Sequence, residues 1–129
     1  MGDLADLAAQ ICESIAKNTG HIAVVSDRDS IIAVAGAPKR ELMEKRNSQE
    51  VEQLMEQRKT YRYQSGESRI RVSDQVEKYH LGVATPILTE GDLMGCVMLL
   101  LEESDLPLTE QEQKLAQTVA GFLGRQMEN

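Results

Sequence analysis

Apolar residues at Leu4, Leu7, Ala8, Ile11 and Ile15 recur every three or four positions, the spacing of a helix with one buried side. Ala5, Ala9, Cys12 and Ala16 widen that stripe beyond the roughly 100° that a helix on a single surface needs. Asn18-Thr19-Gly20 predicts the helix end, because glycine takes the left-handed position past a C-terminus at no steric cost. The pattern then changes to short apolar runs. His21–Ser26 and Ile31–Ala35 predict two strands, joined by the polar tight turn Asp27-Arg28-Asp29-Ser30. Gly36-Ala37-Pro38 breaks the second strand, and Pro38 suits the opening of a short helix over Lys39–Lys45. Asn47, with Glu50 three residues on, predicts a capping box for a further helix striped by Val51, Leu54 and Met55 and ending near Arg58.

Thr60–Tyr63 and Arg69–Val72 alternate apolar with polar side chains, which predicts a half-exposed hairpin around Gln64–Ser68. Ser73–Lys78 reads as polar loop. Tyr79–Leu88 and Leu93–Leu101, joined by Thr89-Glu90-Gly91-Asp92, are almost continuously apolar and predict a central strand pair buried on both faces. Thr109 and Glu112 form a capping box before a last helix bearing Leu115, Ala116, Val119, Ala120, Phe122, Leu123 and Met127. The order α-β-β-α-β-β-β-β-α predicts an α+β fold, an antiparallel sheet flanked by N- and C-terminal helices, in one domain over 1–129. Both terminal helices carry apolar surface to spare. Its simplest burial is a homodimer in a four-helix arrangement, with Leu4, Leu7, Ala8 and Ile11 meeting Leu115, Val119 and Phe122.

Composition narrows the picture. A chain of 129 residues can bury a core without disulfides or metals, and its two cysteines, Cys12 and Cys96, fit neither framework. No apolar run approaches the roughly 18 residues of a membrane span, and no basic-then-apolar leader opens the chain, so a cytoplasmic protein is expected. The net charge of −7 argues against this chain itself gripping a nucleic-acid backbone. That charge is uneven. Residues 1–38 sum to about −3 and residues 79–129 to about −6, whereas residues 39–78 come out near +2 and hold ten of the fourteen Lys and Arg residues. Tyr61, Tyr63 and Tyr79 lie in or beside that basic stretch.

Catalytic signals are thin. His21 and His80 are isolated at strand starts, no nucleotide-loop or hydrolase motif occurs, and Gly91–Gly95 sits in a strand-to-strand turn with no helix after it to cradle a phosphate. Cys12 and Cys96 read as small buried hydrophobes without adjacent cations. Asp27 and Asp29 flank Arg28 at a hairpin tip and read as turn formers rather than metal ligands. No catalytic residue, metal site or cofactor is expected, and the chain reads as a non-enzyme.

Pro86-Ile87 and Gly91-Asp92-Leu93-Met94-Gly95-Cys96-Val97 resemble the last hairpin of GAF domains. Gly20-His21, Asp27-Arg28-Asp29, Ile32–Gly36, Met55–Arg58 and Ala120–Glu128 are similar to the C-terminal domains of the stage V sporulation protein T family, AbrB-type transcription regulators of spore-forming bacteria. This resemblance spans nearly the whole chain and is weakest over Lys59–Lys78. It implies a GAF-like regulatory domain of a sporulation regulator, with DNA bound only through a basic N-terminal domain that this chain lacks. Met1-Gly2-Asp3 opens directly onto the first helix, so the chain reads as a domain cut from such a protein. The Asn-Lys…Phe…Asp-Glu signature of cyclic-nucleotide GAF domains is absent, as is a cysteine placed to attach a bilin.

Two functions follow. In the first, the domain senses a small anionic molecule over the middle of the sheet, with Arg58, Arg62 and Arg71 supplying charge and Tyr61, Tyr63 and Tyr79 lining the walls. In the second, the domain is an assembly module with no small-molecule ligand, and its terminal helices set the oligomeric state. The two are compatible.

Overall fold

A computed structural model describes residues 3–128, with helices on both faces of one sheet. Helix α1 (Leu4–Thr19) begins at Asp3, whose carboxylate accepts the Asp6 N–H, and ends at Gly20 with φ 78°. The chain continues as β1 (Ile22–Asp27), β2 (Ile31–Ala35), α2 (Lys39–Leu42), α3 (Gln49–Gln57), β3 (Tyr61–Arg62), β4 (Arg71–Ser73), β5 (Val76–Thr89), β6 (Asp92–Leu101) and α4 (Glu110–Gln126). The predicted capping box is present at α4, where Thr109 and Glu112 satisfy each other's backbone N–H groups. Met1 lies outside the described residues, as does Gly2.

The sheet runs β2-β1-β6-β5-β3, with β4 also on β5, and every pairing is antiparallel. The near-continuous apolar runs at β5 and β6 lie at its centre, as their pattern predicts. Their connection is a two-residue turn in which Glu90 (φ 51°) and Gly91 (φ 87°) both adopt the left-handed conformation that tight hairpins require.

One side of the sheet is covered by α1 and α4, which share a core with Ala23, Val25, Val83, Ile87, Val97 and Leu99. The other side is covered by α2, α3 and Val72, which enclose Val24, Val34, Leu81, Ala84, Cys96 and Met98. In a regular strand Leu81 and Val83 would share a face. They do not, because Gly82 is a bulge: Leu81 pairs Leu100 and Val83 pairs the very next residue, Leu99. The extra residue shifts the phase of the alternation, so Leu81 faces the core under α2 and α3 and Val83 the core under α1 and α4.

Three expectations need correction. Thr60–Tyr63 and Arg69–Val72 do not pair with each other. Tyr61 and Arg62 pair Ala84 and Val83, while Arg71 and Ser73 pair His80 and Val76, so both short strands share the outer edge of β5. Alternation reports a half-buried strand but not its partner, and a 14-residue strand offers edge enough for two. Ser73–Lys78 is accordingly a tight turn followed by the start of β5. The cap of α3 is Ser48, whose hydroxyl accepts the Val51 N–H, not Asn47. Asn47 is buried instead and donates from Nδ2 to the Asp27 carbonyl 3.0 Å away, tying the β1–β2 turn to the start of α3.

Candidate functional site

The structure places the six residues expected to line a ligand pocket on separate surfaces. Tyr79 is fully buried under α2, where its hydroxyl donates to the Glu41 carboxylate. Lys78 adds an ammonium 3.7 Å from Glu41 and 5.3 Å over the Tyr79 ring. The tyrosine hydrogen bond holds the Glu41 carboxyl below its ordinary range, while burial is the main cause raising the Tyr79 phenol. The side-chain contacts of this trio fasten α2 to β5.

Tyr63 faces the opposite core and meets His80 edge to face, with ring centres 5.2 Å apart. Arg62 reaches across to α4, donating from Nε to Gln113 Oε1 at 2.9 Å and from Nη1 to the Leu108 carbonyl at 3.3 Å. Gln117 and Thr60 form a second strut between the same elements. Arg71 is exposed at the sheet edge, 3.5 Å from Glu77. Tyr61 is half-buried between the two cores, its hydroxyl is unpartnered, and burial pushes its pKa up to about 12. Between α2, α3 and the sheet, the space where a ligand would lie is filled by Leu42, Val51, Met55, Val72, Tyr79 and Met98.

Arg58 stands apart. It caps α3 in the left-handed conformation (φ 56°), and its Nε donates to the Gly91 carbonyl at 3.4 Å. There it lines an open cleft of about 560 Å³ between the β1–β2 tip, the end of α3 and the start of β6. Asp27, Arg28, Asp29, Glu56, Asp92, Leu93 and Met94 line it as well. Asp27 does form the turn as expected, accepting the N–H groups of Asp29 and Ser30 at 2.8 Å. Nothing local in the sequence brings Arg58 to Gly91, 33 positions away.

The residues expected at a dimer interface divide in two. Ala8 and Val119 belong to the core of their own chain, at 0% and 5% exposure. Leu4, Leu7, Ile11 and Leu115 are half-buried along the flanks of α1 and α4, and Phe122 is 41% exposed. The last turn of α4 is fixed closely to the sheet. A Cβ on Gly124 would stand 2.1 Å from the Leu88 carbonyl oxygen, and the Thr89 hydroxyl donates to the Gly124 carbonyl at 2.9 Å.

No group of residues suited to hold a metal ion occurs among the described residues, and no helix there is long and apolar enough to cross a membrane. Cys12 and Cys96 are buried and free, and burial pushes both thiols up to about 12, far from the thiolate that redox chemistry needs.

The family described as stage V sporulation protein T C-terminal, transcription factor, matches residues 3–128. Stage V sporulation protein T of Bacillus subtilis is 32% identical over 128 residues, covering 99% of this chain and 71% of that protein. Among solved structures, the GAF domain of a phosphoenolpyruvate-protein phosphotransferase from Coxiella burnetii superposes with a TM-score of 0.68 at 15% identity, over 96% of this chain and 82% of that one. The cofactor-binding GAF domain of the nutrient sensor CodY from Clostridium difficile superposes with a TM-score of 0.63 at 13% identity, over 92% and 83%. These two likenesses concern the fold, which is that of GAF domains.

Proposed function

The chain belongs to the family of stage V sporulation protein T C-terminal domains, a transcription-factor family, and from that premise we propose that it is the assembly module of its regulator. Two copies join through α1 and α4, and DNA is engaged by a separate N-terminal domain of the longer protein. The observation that carries this reading is the apolar flank of the two terminal helices. After packing on the sheet, α1 and α4 keep Leu4, Leu7, Ile11 and Leu115 half-buried and Phe122 41% exposed. Burying such residues against a second copy removes apolar area from water at roughly 25 cal/mol per Å². A twofold axis would place the same patch opposite itself, α1 and α4 of one copy against α1 and α4 of the other.

Sedimentation velocity tests the reading. The wild-type domain is expected as a dimer and the double variant Leu115→Glu/Phe122→Glu as a folded monomer. Val119 is the wrong position for this test, since a carboxylate there would enter the core. A monomeric wild type, or a double variant that remains dimeric with an unchanged far-UV spectrum, would refute the helical interface.

A further inference from the structure

The open cleft beside Arg58 is lined by charges of both signs. Among the described residues, neither Arg28 nor Arg58 makes an ion pair, and neither does Glu56 or Asp92. Leu93 and Met94 add apolar surface between them, and Met55 floors the adjoining part of the cleft. A fold that leaves cations and carboxylates without ion-pair partners around one recess has capacity for charge-assisted hydrogen bonds that a ligand can satisfy. Four carboxylates, Asp27, Asp29, Glu56 and Asp92, face two guanidiniums, so a purely anionic ligand is opposed and a purely cationic one leaves Arg28 and Arg58 without an ion-pair partner. A molecule carrying both charges meets neither difficulty.

We propose that this cleft binds a small zwitterion with apolar side chains, of the size of a dipeptide or tripeptide. Arg58 and Arg28 take the carboxylate, Asp92 and Glu56 take the ammonium, and Leu93 and Met94 meet the side chains. The volume of about 560 Å³ lies within the range of small-molecule sites. The site is separate from the helical interface, so either can fail without the other.

It is nevertheless connected to that interface by contiguous contacts. Arg58 is bonded to the Gly91 carbonyl in the β5–β6 turn, and the strand leading into that turn is fixed through Leu88 and Thr89 to Gly124 in the last turn of α4.

Isothermal titration calorimetry with L-leucyl-L-leucine as the probe tests the site, with free L-leucine as the size control. Saturable binding of the dipeptide is expected. N-acetyl-Leu-Leu and Leu-Leu-amide, which each lack one charge, should bind at least roughly tenfold more weakly, as should dipeptide on Arg58→Gln or Asp92→Asn, for the loss of one charge-assisted contact. Both positions are exposed, and unchanged melting temperatures would show that the variants fold. Tighter binding of leucine than of dipeptide would overturn the size assignment. Absence of saturable binding by either, or equal binding of the singly charged analogues, would overturn the site.

Discussion

The two sides of the sheet are built on different principles. Beneath α1 and α4 the contacts are close and use small residues: Ala8, Ala116, Ala120 and Gly124 let long helices settle almost onto the strands. Beneath α2 and α3 the helices are only four and nine residues long, too short to be stable alone, and are held by larger side chains and polar ties. Ser48, Asn47 and the Glu41–Tyr79 pair supply those ties. One side is therefore a platform of long helices seated closely on the strands. The other is a filled lid with its free polar groups at the rim, where the cleft lies.

Substitutions that separate the two sides sharpen this contrast. The largest effect is expected at Gly124→Ala. Its Cβ would meet the Leu88 carbonyl, a backbone atom that cannot swing away, so α4 must lift from the sheet at a cost of about 3 kcal/mol or more. Gly121→Ala, three residues earlier in the same helix, meets nothing within 4 Å and should be neutral or gain up to about 1 kcal/mol from helix propensity. Urea denaturation of the pair measures both, and equal effects would remove the close-approach explanation.

On the other side, Leu42→Ala empties the position of the buried side chain of α2 and should cost about 2–4 kcal/mol, while leaving the sedimentation coefficient of the assembly unchanged. A loss of dimer in that variant would mean that the two sides are not independent.

The smallest effect is a pH slope. His80 is 5% exposed with both ring nitrogens unpartnered, and burial, reinforced by the Arg69 guanidinium, holds its pKa below the ordinary 6.5. Leu81 and Glu102 backbone groups and the Asp105 carboxylate oppose the shift only in part. As pH falls through about 6.5 the unfolded chain takes up this proton before the folded one, so stability is full above that pH and declines below it. Glu41 and Glu112, whose pKa values are lowered from 4.5, contribute their own loss only at lower pH. Chemical denaturation between pH 7 and pH 5 should show a slope that His80→Gln abolishes, and a slope retained in that variant would assign it to another group.

Both terminal helices, the glycine cap that ends α1, the capping box that opens α4 and the central strand pair were legible because each is written within a few residues. Three- and four-residue spacing defines α1, Thr109 and Glu112 define the start of α4, and uninterrupted apolar runs define β5 and β6. The cleft was not legible: the sequence suggested Arg58 for a pocket over the sheet face, beside Arg62, Arg71 and the tyrosines, and not for this recess. Its partners Arg28, Glu56 and Asp92 carry no local signature, since an exposed charge at a turn has the same sequence pattern whether or not it faces a recess.

What the sequence alone determined is therefore what short-range physics controls: helical stripes, caps, turns and the residues able to be buried. Tertiary structure decided which edge the short strands β3 and β4 join, which polar residue caps α3, and where the unpaired charges meet. Those outcomes depend on the 14-residue reach of β5, the bulge at Gly82 that shifts the phase of its side chains, and contacts such as Arg58 with Gly91. Each compares positions far apart in the chain, and only closure of the sheet settles the comparison.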